Sequence, residues 1–341
     1  TIPEPGQPGS DTWTGETWKK GGGSVWITGT YDPTLNLTYW GVGNPSPWFG
    51  DQRPGDNLYT SSTIAINPDT GKLSGHFQYH WNDSWDWDEA DPPMVLDFTK
   101  DGRTVKGLVH AARNGYLYRL ERGADRISFV SATPFVKQNV FKSIHDTTGR
   151  PTDFCPSLWG GKDWPFAAYN PKNGVLFIPA NDNHCGYMEG KIQPYVAGKW
   201  WTGIDIPDIG FVVDKSAGHF GEVQAWDVNG NRRIWSYLFP DSMNWGPLLT
   251  TAGGLVFGGG TNDRYFRAFD ATTGKMLWQF RTNSGITAPP VSFSVDGVQY
   301  IGVASGWGVD PAYQQGLLAN LLGWNKDVPQ GGVVWVFAVT S

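Results

Sequence analysis

The chain has 341 residues, of which 39% are hydrophobic, 15% aromatic and 17% charged, and its formal net charge is −6 at pH 7. This composition is typical of a globular protein with one large domain or two ordinary ones. The negative charge excludes the basic field that nucleic acid or an anionic membrane would attract, and no apolar run approaches the roughly 18 residues of a membrane span.

Turn-forming residues and tryptophan are unusually frequent, with 45 Gly, 24 Pro and 19 Trp. Such a composition predicts short strands joined by turns and argues against long helices. The first predicted pair of strands joined by a turn is Tyr31–Gly41, and its sequence resembles that of Tyr169–Ile178 further along the chain. Each predicts a strand, a tight turn and a second strand.

Two carboxylates alternate with two indoles in the segment Trp85-Asp86-Trp87-Asp88. If the segment is extended, residues two apart point the same way, so Asp86 and Asp88 converge while Trp85 and Trp87 enclose them. Carboxylates held close together repel unless a cation or a proton lies between them. The segment is therefore a candidate metal and base site, and the alternative is a surface loop whose acids face water.

A repeated pattern in the second half of the chain predicts the fold. Ala225–Trp235 and Ala268–Trp278 both read Ala-aromatic-Asp, a polar turn, an apolar residue and Trp, and they lie 43 positions apart. A third copy starts at Ala65 and has Gly75 where the Trp would fall. Short strands repeating about every 40 residues indicate a β-propeller, in which the Trp would dock one blade on the next.

Helical patterns are scarce, and apolar residues at helical spacing predict one short helix over Ala312–Leu322. The chain has two cysteines, Cys155 and Cys185, 30 positions apart. They could form a disulfide or remain two buried thiols. Metal binding by the pair is disfavoured because the spacing of a Cys-x-x-Cys motif is absent.

Seven short motifs follow one another along the chain: Gly21–Trp26, Gly41–Trp48, Arg53–Asn57, Trp85–Asp88, Ala112–Gly115, Cys155–Ser157 and Asn244–Gly246. In this order they resemble the quinoprotein alcohol dehydrogenases, periplasmic propeller enzymes that carry pyrroloquinoline quinone (PQQ). The resemblance implies an all-β fold, a partial eight-bladed propeller of about four to five blades, with residues 1–341 as one domain. Family members are longer, so the N-terminal blades, a glutamate metal ligand and a ring of adjacent cysteines are expected to be absent here.

The resemblance also assigns metal and base residues. Asn44, Asp86 and Asp88 match metal ligands, and Asp86 matches the base that takes the alcohol proton. An Asp at the position of Asp88 marks the lanthanide-using members of this family, so a lanthanide is favoured and calcium is the alternative. Hard cations prefer such oxygen donors.

Cofactor contacts are implied by the same resemblance. Trp26 matches the indole that stacks under the quinone, Arg113 the cation beside its reactive oxygen, and Trp245 a residue lining its edge. Asp163 stands where the family usually has Asn, so this acid is expected to be protonated or to pair with Lys162 or a nearby arginine. The two cysteines, Cys155 and Cys185, match the family's second disulfide.

The leading hypothesis is therefore PQQ-dependent oxidation of a primary alcohol to an aldehyde, with a cytochrome c as electron acceptor. The resemblance implies a bacterial periplasmic location, although no signal-like segment stands at Thr1–Pro5. An alternative is a truncated or split propeller without catalysis, because unpaired strand edges favour a second chain or self-association. A sugar-cleaving propeller ranks last, because carboxylates two residues apart need not reach the separation that glycosidases use.

Overall fold

The computed structural model describes residues 1–139, 152–205, 209–324 and 327–339. Short strands dominate these residues, as the frequent turn-forming residues predict. The strands are numbered in chain order: β1 Thr30–Asp32, β2 Leu37–Val42, β3 Ser62–Ile66, β4 Leu73–Gln78, β5 Met94–Lys100, β6 Arg103–Ala111, β7 Tyr116–Arg122, β8 Ile127–Pro134, β9 Thr152–Phe154, β10 Ala168–Asn170, β11 Val175–Asn181, β12 His184–Met188, β13 Gly210–Val213, β14 Gly221–Asp227, β15 Arg232–Phe239, β16 Leu249–Thr250, β17 Leu255–Gly258, β18 Tyr265–Asp270, β19 Met276–Arg281, β20 Val291–Val295, β21 Val298–Ser305 and β22 Val333–Val339.

Helices are few in the part of the chain that the structure describes. The α-helix α1 spans Val309–Leu322, so the helix predicted over Ala312–Leu322 is confirmed and begins three residues earlier. It ends at Gly323, whose backbone has a φ of 76° and whose N–H donates to the carbonyl oxygen of Ala319. Short 3-10 helices are Ser10–Thr12, Thr17–Lys20, Gly50–Gln52 and Lys215–Ala217. Within the described residues, no helix has the length and apolar character needed to cross a bilayer.

The chain divides into two compact units. The first contains residues 1–164 and 184–214, and the second contains residues 165–183 and 215–341. Each unit is built from antiparallel sheets, most of them of consecutive strands. The interpretation of residues 1–341 as a single propeller domain stays a prediction.

The first unit has two four-stranded sheets, β1-β2-β3-β4 and β5-β6-β7-β8, and a small sheet in the order β13-β12-β9. Leu37, Tyr39, Leu108 and Leu120 belong to a buried cluster between the two larger sheets. The predicted strand–turn–strand at Tyr31–Gly41 is confirmed as the β1–β2 hairpin, in which Tyr31 pairs with Thr38.

The second unit has two four-stranded sheets, β10-β11-β14-β15 and β16-β17-β18-β19, and the three-stranded sheet β20-β21-β22. Buried residues such as Phe177, Val223 and Phe269 fill the space between the first two sheets. Phe266 and Val303 belong to the cluster between the second and third. The predicted hairpin at Tyr169–Ile178 is also confirmed, since Tyr169 pairs with Leu176.

The repeated Ala-aromatic pattern corresponds to a repeated backbone irregularity. The ladder between the third and fourth strands shifts register at the same place in all four-stranded sheets of the described chain: Ala65/Ile66, Arg119/Leu120, Ala225/Trp226 and Ala268/Phe269. An extra residue at this point increases the local twist of the outer strand. The sequence repeat is therefore also a structural repeat, and the all-β propeller class is confirmed.

The predicted role of the repeated tryptophans is confirmed within the second unit. Trp235 of β15 donates from Nε1 to the carbonyl oxygen of Ala271 in the next sheet, at 3.1 Å. A Cβ added at Gly274 would lie 2.6 Å from this indole, so the turn of the next sheet packs directly on it. Trp278 of β19 packs edge-on against Phe337 of β22, with ring centroids 5.0 Å apart.

Candidate active site

The loop between β4 and β5, residues 79–93, carries the two central carboxylates. Asp83 is buried, and its carboxylate accepts the backbone N–H groups of Trp85 at 3.2 Å and Trp87 at 3.0 Å. These two bonds curl the chain, and Asp86 adopts a φ of 60°. The expectation that Trp85–Asp88 is an extended segment is therefore wrong.

The two indoles of the segment anchor the loop in the interior. Trp85 stacks on Phe154 with ring centroids 4.4 Å apart, and Trp87 donates from Nε1 to the carbonyl oxygen of Ser157 at 3.1 Å. Both indoles are buried, whereas Asp86 and Asp88 are half-buried. The tryptophans hold the loop in place instead of enclosing the carboxylates as expected.

Asp88 brings three of the predicted site residues together. Its Oδ2 accepts the indole N–H of Trp26 at 3.0 Å, and its Oδ1 accepts the backbone N–H of Asn44. A Cβ added at Gly43 would lie only 2.6 Å from Asp88 Oδ1, so a glycine is required for this approach. The indole of Trp26 remains 46% exposed and presents an aromatic face at the site.

Backbone pairing holds the Trp26 and Asn44 segments side by side. Gly23 donates its N–H to the carbonyl oxygen of Asn44, and Gly43 donates to that of Ser24, each at 2.9 Å. The side-chain amide of Asn44 donates from Nδ2 to the carbonyl oxygen of Pro45 at 3.3 Å. The amide nitrogen is thereby engaged, and the amide oxygen is the atom that suits a metal ion.

Arg113 follows β6 and is almost fully buried. It donates from Nη1 to Asp163 Oδ1 at 2.9 Å, and from Nε and Nη2 to the carbonyl oxygen of Leu158 at 3.1 Å and 2.7 Å. These bonds use three of the five N–H groups of a guanidinium. Of the alternatives for Asp163, the structure shows pairing with Arg113, because Lys162 Nζ binds the carboxylate of Asp91 and the backbone oxygen of Asp163.

Negative charge is concentrated around Arg113. Burial raises the pKa of Asp86 well above its usual value, and the nearby charges of Asp88, Asp83 and Asp163 raise it further, whereas Arg113 opposes the shift. Burial likewise raises the pKa of Asp88, and it raises the pKa of Asp163 to about 6. The guanidinium of Arg113 is therefore near Asp86, Asp88 and Asp163, which lie on two separate loops, and near Glu89 as well.

Glu89 is a buried hub that sequence reasoning missed. Its carboxylate accepts hydrogen bonds from His80 Nε2 at 3.0 Å, from His110 Nε2 at 2.7 Å and from the backbone N–H of Arg113 at 3.0 Å. Burial alone would lower the pKa of His80, but its bonds to Asp83 and Glu89 raise it to about 9. The only signal in the sequence is an acid directly after Asp88.

A narrow, closely packed cleft lies at these residues. Trp26, Asp88, Lys162 and Asp163 are among the residues that line it. The site therefore combines an exposed aromatic face, charged groups of both signs and oxygen donors in one place.

Trp245 lies in the second unit and is fully buried. Its backbone N–H donates to the carbonyl oxygen of Gly260 at 2.9 Å. Its indole Nε1 is buried and has no hydrogen-bond partner among the described residues. Buried indole N–H groups usually find a partner, so this donor suits a polar atom of a ligand.

Cys155 and Cys185 form a disulfide that joins the end of β9 to β12, with their Cα atoms 4.3 Å apart. Next to it, Ser157 Oγ lies 2.8 Å from His184 Nδ1. The disulfide links β9 and β12 of the small sheet directly next to Phe154, and Trp85 stacks on that Phe154 ring. The disulfide thus supports the residue that anchors the Asp86 loop.

Comparison with known proteins identifies relatives along almost the whole chain. The family model described as the glucose/ethanol/alcohol dehydrogenase β-propeller domain, labelled PQQ, matches residues 2–126 and 239–301, which is more than half of the chain. The quinoprotein alcohol dehydrogenase PedH of Pseudomonas putida is 35% identical over 346 residues, covering 96% of this chain and 56% of its own length. The lanthanide-dependent methanol dehydrogenase of Methylacidiphilum fumariolicum is 35% identical and is covered over 60% of its length.

Among solved structures, a europium-containing methanol dehydrogenase superposes with a TM-score of 0.85 at 34% identity, covering 99% of this chain and 63% of that one. The chain thus spans less than two thirds of each of these relatives. The chain belongs to the glucose/ethanol/alcohol dehydrogenase β-propeller family of quinoproteins.

Proposed function

We propose that this chain takes part in the PQQ-dependent oxidation of a primary alcohol to an aldehyde, assisted by a metal ion. The observation that carries the proposal is the set of contacts in which Asp88 holds both Trp26 and Asn44. These three residues stand in matching motifs far apart in the sequence, and the fold brings them together beside Asp86 and Arg113.

The donor set fits a hard, highly charged cation. Asn44 offers an amide oxygen, and Asp86 and Asp88 offer carboxylate oxygens, which are the ligands that such ions prefer. Three carboxylates around one guanidinium leave negative charge that a bound cation would neutralise. A trivalent lanthanide neutralises it better than calcium, and two relatives carry a lanthanide in their names. A lanthanide is therefore favoured, and calcium is the alternative.

The polar and aromatic groups also fit a planar, anionic quinone. The exposed face of Trp26 is suited to stacking on a conjugated ring. Arg113 has two N–H groups beyond its bonds to Asp163 and Leu158, and they could donate to a quinone oxygen. Trp245 is proposed to line the edge of the cofactor from the family resemblance alone.

Each residue then has a distinct role in the reaction. The quinone, when bound, supplies a hydride acceptor for the alcohol carbon. Asp86 takes the hydroxyl proton, so the alcohol loses a proton and a hydride and becomes the aldehyde. Arg113 stabilises negative charge that develops beside it, and Glu89 and Asp163 hold its backbone and side chain in position.

The partners are proposed from the family resemblance. They are a small alcohol as substrate and a cytochrome c as electron acceptor. The proposed location is the periplasm. We further propose that residues 1–341 form one partial propeller. The split-propeller alternative, in which the chain only binds or assembles, is an outcome of the test below.

The test is reconstitution of the full chain with PQQ and either La³⁺ or Ca²⁺, followed by tryptophan fluorescence and by dye reduction with ethanol. We expect quinone-dependent quenching and alcohol-dependent dye reduction with La³⁺. No quinone binding with either metal would overturn the enzymatic proposal. Self-association in sedimentation velocity without quinone binding would favour the assembly role.

Two variants make the metal assignment specific. Asp88→Asn removes one charge but keeps a carbonyl oxygen for the Asn44 N–H, so La³⁺-dependent activity should fall at least ten-fold and Ca²⁺-dependent activity much less. Asp11→Asn removes an exposed carboxylate elsewhere and should change neither activity. Equal losses with both metals in Asp88→Asn would contradict the lanthanide assignment.

A further inference from the structure

A second group of metal-ligating side chains lies in the second unit. Ligand atoms of Asp182, His219 and Glu222 lie within 4.8 Å of one another. The antiparallel pairing of β11 with β14 explains this placement, because Asn181 pairs with Gly221 and the N–H of Asp182 donates to the Phe220 carbonyl oxygen at 2.8 Å. The side chains therefore project from one end of a regular ladder.

The ring of His219 is oriented by a contact outside the group. Its Nδ1 lies 3.0 Å from the carbonyl oxygen of Ala217, which can only accept, so Nδ1 carries the hydrogen. Its Nε2 then lies 2.8 Å from Glu222 Oε1. A metal-bound histidine typically donates its other N–H to a carbonyl oxygen in this way.

Asn183 also lies against the ring of His219. Its Nδ2 donates to the carbonyl oxygen of His219 at 3.2 Å, which sets the orientation of the amide, and the same Nδ2 lies 3.2 Å from Nε2. Nε2 and Glu222 Oε1 form an ion pair when the ring is protonated, and a metal ion would take the place of that proton between the same two atoms.

Glu222 is held in place from its other side. It is 2% exposed, and its Oε2 accepts a hydrogen bond from Gln224 Nε2 at 3.0 Å. Gln224 is in turn fixed by Trp226, whose Nε1 donates to Gln224 Oε1 at 2.8 Å. Arg233 approaches the same Oε2, at 3.7 Å, so Oε1 is the oxygen directed at His219.

We propose that Asp182, His219 and Glu222 bind a divalent transition-metal ion, for which zinc is the best match. One imidazole nitrogen and two carboxylate oxygens are a donor set that zinc accepts, with a water at a fourth position. Calcium and lanthanides prefer more oxygen ligands, so the site discriminates against them. A bound ion would tie the end of β11 to the segment that leads into β14, and this proposal is independent of the PQQ chemistry.

The experiment is a calorimetric titration of the metal-free full chain with ZnCl2. We expect His219→Gln and Asp182→Asn each to weaken zinc binding at least ten-fold. His76→Gln removes a half-buried imidazole from another part of the chain and should leave zinc binding unchanged. The double variant Asp86→Asn/Asp88→Asn should also retain this zinc, which separates the site from the one proposed for the lanthanide.

Cobalt gives a second readout, because a nitrogen ligand changes the visible absorption of bound Co²⁺. The Co²⁺ spectrum of the chain should lose its nitrogen-dependent features in His219→Gln and keep them in His76→Gln. If His219→Gln fails to fold, Asp182→Asn, at a half-buried position, tests the same site. Absence of zinc binding by the unaltered chain, or zinc binding that survives both ligand variants, would overturn the proposal.

Discussion

Neighbouring sheets are joined by docked tryptophans in the second unit, whereas in the first unit a buried ion pair accompanies aromatic contacts such as that of Phe77 on β4 with Phe129 on β8. In the second unit, Trp235 reaches the carbonyl oxygen of Ala271, and Trp278 packs on Phe337. In the first unit, Arg122 of β7 donates from Nε to Asp32 of β1 at 2.7 Å, and both side chains are nearly inaccessible. The same sheet architecture thus tolerates two kinds of joint.

The difference shows what each joint can do besides hold sheets together. An aromatic joint stabilises through buried area, whereas a buried ion pair adds little net stability because both charges lose their hydration. Charged joints do, however, fix polar groups in defined positions. In the first unit, Glu89 links His80 and His110 and also holds the backbone N–H of Arg113. The candidate active site adjoins this network around Glu89.

The largest effect is expected for Glu89→Ala, which would leave two histidines and a backbone N–H without their shared acceptor. Removing one partner from a buried charged network costs about 3–5 kcal/mol, and we expect a loss in that range in the free energy of unfolding, measured by urea denaturation. Glu121→Ala removes a half-exposed partner of Arg103 and should cost under about 1 kcal/mol. Similar losses of unfolding free energy in the two variants would show that Glu89, His80 and His110 do not act as a cooperative network.

Trp235→Ala tests the aromatic joint. The indole is partly buried, so we expect a loss of about 3 kcal/mol, at the lower end for a buried Trp. Trp200 is 82% exposed, and Trp200→Ala should change the unfolding free energy by less than about 0.5 kcal/mol. A small change in stability for Trp235→Ala in thermal and urea unfolding would contradict the claim that the repeated tryptophans stabilise the packing of one sheet on the next.

Asp32→Asn tests the ion pair and should show a pH dependence that the aromatic joint lacks. Burial alone would raise the pKa of Asp32, but its hydrogen bonds to Arg122 and Thr34 lower it below its usual value. A lowered pKa means that the carboxylate stabilises the fold above its unfolded-state pKa and loses this effect as the pH falls through the folded-state value.

At pH 7 we expect Asp32→Asn to cost about 2 kcal/mol, the value of a hydrogen bond to a charged group. The difference in Tm between the two proteins should shrink as the pH falls from about 5 to about 3. Trp235→Ala should show no such trend over this interval. A difference for Asp32→Asn that stays constant with pH would contradict the assigned cause.

The sheets were predictable because their determinants are local. The Ala-aromatic-Asp pattern marks a bulge and a turn within about ten residues, and the helix near Ala312 is marked by its own spacing. The extended conformation expected for Trp85–Asp88 is wrong because Asp83 binds the N–H groups of Trp85 and Trp87. A side chain just outside the motif changes its backbone.

The site was only partly predictable, because its contacts join distant segments. Trp26 and Asp88 lie 62 positions apart, and Arg113 and Asp163 lie 50 apart, so only the family resemblance pointed to them. Glu89 carries no motif of its own, since its partners are His80, earlier in the same loop, and His110 on β6. Spacing in the sequence cannot reveal such a hub.

Gly75 is the place where the sequence departs from the repeat and the structure explains the departure. It occupies the Trp position in the third copy, and an added Cβ would lie 2.9 Å from the Cα of Arg126 and 3.0 Å from its carbonyl carbon. The backbone of the turn between β7 and β8 therefore lies where an indole would otherwise dock. The close approach of Arg126 therefore leaves no room for a tryptophan at this position.

Gly75→Ala is expected to have the smallest effect of the series, a loss of about 1–2 kcal/mol, because backbone atoms must move to admit one methyl group. Gly253→Ala is the matched control, since the nearest atom to an added Cβ there is 3.9 Å away and its φ is ordinary. It should be neutral within about 0.5 kcal/mol in urea unfolding. If Gly75→Ala were equally neutral, the close approach of Arg126 would not be what keeps tryptophan out of this joint, and the contrast between the two units would rest on the ion pair alone.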